Sequence, residues 1–102
     1  MTTVRFTRRC FTEDLGELPR RIASQALDAA EVLEKNPELG EELVPPLDRF
    51  RRLRLGGRYR LIYTYDSDTD TWWICLIWER KPGKPEDVYE ILKRLVESLK
   101  LK

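Results

Sequence analysis

The chain has 102 residues, of which 41% are hydrophobic and 36% charged, with two cysteines and no histidine. That length and composition describe one soluble globular domain with a single core and exclude a disordered chain. A net charge of +1 excludes strong long-range attraction to nucleic acid; two cysteines without histidine exclude a disulfide framework, zinc sites and histidine-based triads.

No apolar run approaches the roughly 18 residues of a membrane span. The opening Met1-Thr2-Thr3-Val4-Arg5 lacks the apolar stretch of a secretion signal, so a reduced cytoplasmic setting is expected, with no membrane association. Val4-Arg5-Phe6-Thr7 alternates and predicts a short strand. Thr7 then caps a helix over roughly 8–18 with Phe11, Leu15 and Leu18 as its apolar stripe; Gly16 weakens it, and Pro19 ends it or opens the next helix. From about 20 to 35, Ile22, Ala26, Ala29, Ala30 and Leu33 make one face of a second helix, which Asn36-Pro37 stops. After a loop with Gly40 and Pro45-Pro46, the run 50–55 and the run 58–65 flank Gly56-Gly57 and predict a hairpin. Asp66-Ser67-Asp68-Thr69-Asp70 is the next turn. It is not a calcium loop, because Thr71 stands where the turn glycine belongs and Ile77 where the bidentate glutamate should be. The apolar run 72–78 predicts a central strand covered on both faces. Pro85 opens a final helix with Val88, Leu92, Leu95 and Leu99 as its stripe.

The order is β-α-α-β-β-β-α: an α+β domain over residues 1–102 with a helical hairpin on one face of a small antiparallel sheet. Charge is segregated along it. Residues 28–42 hold six carboxylates against one lysine, and residues 48–60 hold six arginines against one aspartate. Strand parity sorts the arginines. Leu53, Leu55, Leu61 and Tyr63 face the helical hairpin. Arg52, Arg54 and Arg60 converge on the opposite, open face, with Arg80 bordering it. Guanidiniums clustered without interleaved acids call for an anion, and phosphate matches their planar fork. An acidic partner segment is the other anion that fits. Trp72, Trp73 and Trp78 read as core or interface residues rather than base-stacking platforms. Cys75 reads as packing, Cys10 as open to solvent, and Tyr89, Val96 and Leu101 widen the last stripe into a partner surface.

Asn36-Pro37 with Leu39-Gly40, then Pro46-Leu47, Phe50-Arg51-Arg52-Leu53-Arg54, Arg58-Tyr59-Arg60-Leu61-Ile62-Tyr63, Arg80-Lys81 and the segment from Asp87 to Leu95 resemble the RelE/ParE superfamily of type II toxins over nearly the whole chain. RelE-like members cut messenger RNA on the ribosome, ParE-like members poison DNA gyrase, and both are silenced by a cognate antitoxin. The RelE resemblance implies catalytic roles for Arg52, Arg54, Arg60, Arg80 and Tyr89. Arg60 would bind phosphate and Arg80 would stabilise charge on it. Arg52 and Arg54 would replace a spaced lysine pair, and Tyr89 would stack on a base or assist proton transfer. Arg51, Arg58, Lys81 and Lys84 would bind the surrounding RNA. The implied reaction is attack of a ribose 2′-hydroxyl on its own 3′-phosphate, with no metal or cofactor.

The chain departs from RelE in three ways. Arginine, with a pKa above about 12, replaces a lysine that can act as a base. The spacing from Arg80 to Tyr89 is longer, and the pI of about 7.7 is low. Only Tyr89 or Glu79 remains as a proton acceptor, and parity points Glu79 to the other face. The alternative is therefore a binding module on the same fold: a gyrase poison, or a relic that engages only an antitoxin or, as a homodimer, its own copy.

Overall fold

A computed structural model describes residues 2–99 and 101. The chain runs through β1 (Val4–Phe6), a π-helical turn (Cys10–Asp14) continuing into α1 (Leu15–Glu17), α2 (Arg20–Lys35), β2 (Glu41–Glu42), β3 (Phe50–Leu55), β4 (Tyr59–Asp66), β5 (Thr71–Glu79) and α3 (Val88–Glu97). The strands form one sheet in the order β1-β5-β4-β3-β2. The class is α+β, as expected. The sheet is larger than the expected meander in two respects: β1 adds in parallel to β5, and the two-residue β2 extends the other edge antiparallel to β3.

The predicted hairpin is present, with Leu55 opposite Tyr59 and Gly56 and Gly57 at φ +56° and +78°. At Gly56 a β-carbon would lie 2.5 Å from Ile22 Cδ1. Glycine thus serves both the left-handed turn and the close seating of α2 on the hairpin. α2 follows its apolar periodicity, burying Ile22, Ala26 and Leu33 and stopping at Asn36.

The continuous apolar run of β5 has the expected cause, since β5 lies between β1 and β4 with a core on each side. Ile74 and Ile77 join Leu61, Tyr63 and the helices of the first half in one cluster. Cys75 and Leu76 join Ile62, Phe50, Val88 and Leu92 in the other. Two adjacent residues share a face because the β4–β5 register slips between Ile62 and Tyr63, leaving Cys75 without an opposite partner. α3 lies over the middle of the face expected to be open. That face is a second core with solvent access at its two ends.

Three local expectations change. The first helix carries a π-turn, whose wider winding turns Cys10 and Asp14 inward and leaves Phe11 59% exposed. Cys10 is therefore fully buried rather than open to solvent. The last helix begins at Val88, with Asp87 and not Pro85 at its start, and ends at Glu97. Leu99 lies past that end in a left-handed conformation and is 92% exposed, outside the stripe.

The inward turn of Asp14 completes the sheet. β1 covers β5 only as far as Ile74. Beyond it, Arg9 donates to the Cys75 carbonyl at 2.6 Å, and Asp14 Oδ2 accepts from the Ile77 N–H at 3.1 Å. Arg9 and Asp14 bind each other through two hydrogen bonds of 3.1 and 3.0 Å. Their side chains are only 13% and 8% exposed. A buried ion pair that also closes a strand's ladder is costly to break from one side, because charge and peptide groups are left unpaired. Asp14→Ala is expected to lower stability by about 3–5 kcal/mol. Phe11→Ala, at an exposed position, should cost under about 1 kcal/mol, both read from urea unfolding midpoints.

Candidate functional site

The hairpin places Arg54 directly opposite Arg60, and Arg60 opposite Trp78 on its other side. Like charges in register repel, and neither arginine has a carboxylate within 4 Å among the described residues. Arg54 is exposed. Arg60 bends toward the turn, its Nη1 donating to the Gly57 and Tyr59 carbonyls at 2.8 and 3.0 Å. Those neutral acceptors orient the guanidinium without cancelling its charge.

Beside this pair, Tyr89 gathers the other two predicted arginines. Arg52 Nη1 donates to the Tyr89 hydroxyl at 3.0 Å, and the Arg80 guanidinium lies 4.9 Å above the Tyr89 ring. Arg52 is also 3.7 Å from Glu41. The Tyr89 hydrogen bond first, and the Glu41 charge after it, hold Arg52 even more firmly protonated than usual. Glu41 reaches it because β2 pairs with β3, and that pairing rests on Tyr63. The Tyr63 hydroxyl donates to the Pro37 carbonyl at 2.7 Å and accepts from the Gly40 N–H at 2.8 Å. A β-carbon on Gly40 would lie 2.6 Å from the Arg52 carbonyl and 2.7 Å from the Tyr63 hydroxyl. Only glycine allows this approach.

Arg80 is fixed by Asp87, which sequence reasoning missed. Its carboxylate, 2% exposed, accepts from Arg80 Nη1 at 2.6 Å, from the Lys81 N–H and from the Tyr89 N–H at 3.1 Å. The last bond is the N-cap of α3. Burial alone would raise this carboxyl. The Arg80 guanidinium and the two amides outweigh burial and hold it below its ordinary value. The spacing Asp87-Val88-Tyr89-Glu90 is a helix-start signal that was available to find it.

The remaining predicted residues do not all gather here. Arg51 lies on the opposite face of β3, where it donates to the Glu38 and Gly40 carbonyls at 3.1 and 2.7 Å and to Glu42 at 3.3 Å. Its guanidinium holds the 38–42 segment and is not presented to a ligand. Arg58, 80% exposed at the turn, and Lys81 both sit 3.8 Å from Glu79. Lys84 is exposed on the 80–87 loop. Glu79 pairs across from Tyr59 on the hairpin-side face, as parity required. Trp78, paired with Arg60 across the strands, is partly buried and packs against both hydrophobic cores.

The site can bind an anion and stabilise charge growing on it. Its own resources for removing a proton are slight. Asp87 is occupied by three donors, which among the described residues leaves the Tyr89 hydroxyl and the Glu41 carboxylate, 3.7 Å from Arg52, as the oxygen acids or bases beside the grouped arginines. The cysteines supply no nucleophile. Burial pushes the Cys75 thiol up to about 12 and raises Cys10 further. Among the described residues no group of three or more histidine, cysteine, aspartate or glutamate side chains is placed to hold a metal ion, and no helix is long and apolar enough to cross a membrane.

Comparison with known proteins gives one consistent family. The family model for the ParE toxin of the type II toxin–antitoxin system parDE matches residues 4–82. The toxin–antitoxin complex RelBE2 from Mycobacterium tuberculosis contains a similar chain, 33% identical, with 78% of this chain and 98% of that one covered at a TM-score of 0.65. The archaeal RelE–RelB complex from Pyrococcus horikoshii OT3 gives 25% identity, coverages of 80% and 98%, and a TM-score of 0.60. A mutant E. coli toxin RelE in the free state, with two arginines replaced by alanine, shares the fold at a TM-score of 0.69 and 16% identity, over 92% and 97% of the two chains. A search of curated proteins gave no match.

The Asp87 geometry carries a pH signature. A carboxyl held below its usual value contributes stability that is present above about pH 4 and lost as pH falls through its folded value. Asp87→Asn should therefore unfold more easily than the wild type at pH 7, by about 1–3 kcal/mol. The difference should shrink as pH drops below about 4. Urea titrations at pH 7 and pH 3 measure both.

Proposed function

The chain belongs to the ParE toxin family of type II toxin–antitoxin systems, within the RelE/ParE superfamily, and we propose that its arginine face acts on messenger RNA held by the ribosome. The observation that carries the reading is the cross-strand pair Arg54 and Arg60, like charges in register with no acid between them. Such a pair is stabilised by an anion bridging both guanidiniums, and a phosphodiester is an anion they fit bidentately. Residues 1–102 would act as one toxin domain.

In this reading Arg54 and Arg60 hold the scissile phosphate while Arg80, aligned by Asp87, meets the charge that develops on its oxygens. The ribose 2′-oxygen attacks the adjacent phosphorus, the bond to the 5′-oxygen breaks, and a 2′,3′-cyclic phosphate is left. Tyr89, its ring under Arg80 and its hydroxyl on Arg52, stacks on a base or relays the 2′-hydroxyl proton. Arg58, Lys81 and Lys84 touch flanking phosphates. A site so poor in bases gains most of its rate from alignment, which the ribosome would supply. The chain would then need neither metal nor cofactor.

Two solved relatives at 25% identity or above are toxin–antitoxin complexes, which supports a cognate antitoxin as this chain's partner. The ParE family match favours a second reading, poisoning of DNA gyrase. Expressed without an antitoxin, the chain is expected to arrest growth and to cut messages in translating extracts but not naked RNA. Arg60→Ala and Arg80→Ala should each lower cleavage about 100-fold or more, the loss that follows removal of one charge-stabilising donor. Intact messages together with inhibited gyrase supercoiling would place the chain on the gyrase branch. No response from either target, with retained antitoxin binding or self-association, would make it a binding module.

A further inference from the structure

The aspartate-rich turn after β4 takes no part in the proposed reaction and lies at the other end of the sheet. There the Tyr65 ring, 44% exposed, packs on Trp72 with centroids 5.1 Å apart and planes at 46°. Trp72 in turn packs on the buried Tyr63 at 5.7 Å, so the outer rings stand on a fixed base. The Tyr65 hydroxyl donates to Asp70 Oδ1 at 2.6 Å. Pro37 and Glu38 close the opposite side of a cleft of about 590 Å³. Among the described residues the Glu38 and Asp70 carboxylates have no lysine or arginine nitrogen within 4 Å; Arg51 meets Glu38 only at its backbone carbonyl, at 3.1 Å. The carboxylates of Asp66 and Asp68 in the same turn are likewise without a cation.

An aromatic corner beside two uncompensated carboxylates is the complement of a flat cation. Ring faces attract positive charge, and carboxylate oxygens accept a planar fork of N–H donors. The guanidinium satisfies both at once, being weakly hydrated and able to stack, whereas an ammonium keeps its water and offers no face. We infer that this cleft binds an arginine side chain presented by a protein partner. The Tyr65 and Trp72 rings take the guanidinium face, and Glu38 and Asp70 take its edges. The site is independent of the reaction at the arginine face, and it holds whichever target that face acts on.

The test uses the full chain and two blocked tripeptides, Gly-Arg-Gly and the same peptide with citrulline, which keeps the shape and removes the charge. Binding is followed at the Trp72 indole N–H resonance, assigned with Trp72→Phe. The arginine peptide is expected to move that resonance saturably, and citrulline to bind about ten-fold more weakly, the scale of a partly desolvated cation–π contact with its ion pair. Glu38→Gln and Asp70→Asn should each weaken arginine binding several-fold without altering the amide spectrum elsewhere. Glu38 is exposed, and the Asp70 change retains an acceptor for Tyr65. A Trp72 resonance indifferent to the arginine peptide, an equal response to citrulline, or an affinity untouched by both substitutions overturns the inference. Equally tight binding of spermidine also overturns it, since that would assign the cleft to free polyamines.

Discussion

A carboxylate almost fully withdrawn from water has to be met by donors on every side, and the satisfaction of Asp87 fixes most of what surrounds the arginine face. One oxygen takes Arg80 and the Lys81 amide, and the other takes the first turn of α3 through Tyr89. The end of β5, the start of α3, a cation and an aromatic ring are thereby locked by one group. Arg80 cannot leave without exposing a buried negative charge. The cap holds the Tyr89 backbone, and Arg80 over its ring holds the side chain. Because Tyr89 also accepts from Arg52, the constraint extends across the sheet to β3. The face is preorganised in the sense that matters for stabilising charge, since its donors are aimed before any ligand arrives.

A second buried carboxylate does comparable work at the other flank of β5. β1 is only three residues long, so the outer edge of β5 runs bare after Ile74. Asp14 and Arg9 supply the acceptor and donor that a longer β1 would have supplied. The π-turn is what allows this, because a regular helix would present Phe11 where Cys10 and Asp14 now point. An apolar strand buried on both faces is thus kept from offering an open edge, a standing hazard for strands of this composition. The register slip at Cys75 falls in the same stretch, and both irregularities belong to one solution.

The elements that packing alone determines were legible in the residues. α2, the hairpin around Gly56-Gly57, the burial of β5 and the shared face of Arg52, Arg54 and Arg60 all follow from period and parity. What escaped depends on partners distant in sequence. Asp14 meets Ile77 across 63 positions, and nothing local marks a π-turn that will bring them together. β2 is too short for an alternation pattern and exists because Tyr63 and Arg51 anchor its backbone. Asp87 was legible in principle, as an aspartate three residues before a glutamate at a helix start. Pro85 drew the boundary two residues early. The face of β3 and β4 was expected to be open because the stripe of α3 does not by itself say which side of the sheet it covers.

The near-neutral net charge conceals a molecule with two poles. The start of α2 brings Arg21 beside the Gly56 turn, adjoining Arg54, Arg58 and Arg60. At the other end Pro37 and Glu38, just past α2, line one cleft with Asp70 of the aspartate turn. Fields from the two poles cancel at a distance and persist close by, on the scale of the roughly 8–10 Å over which salt screens. Such a chain is not drawn to a polyanion from afar as a uniformly basic protein is. It engages one when its basic end is already in contact, with its acidic end facing away. On the proposed reading, a toxin built this way would rely on its target to hold the substrate in place, in keeping with a site rich in guanidiniums and poor in bases. The acidic end stays free to meet basic side chains of whatever protein stands on that side.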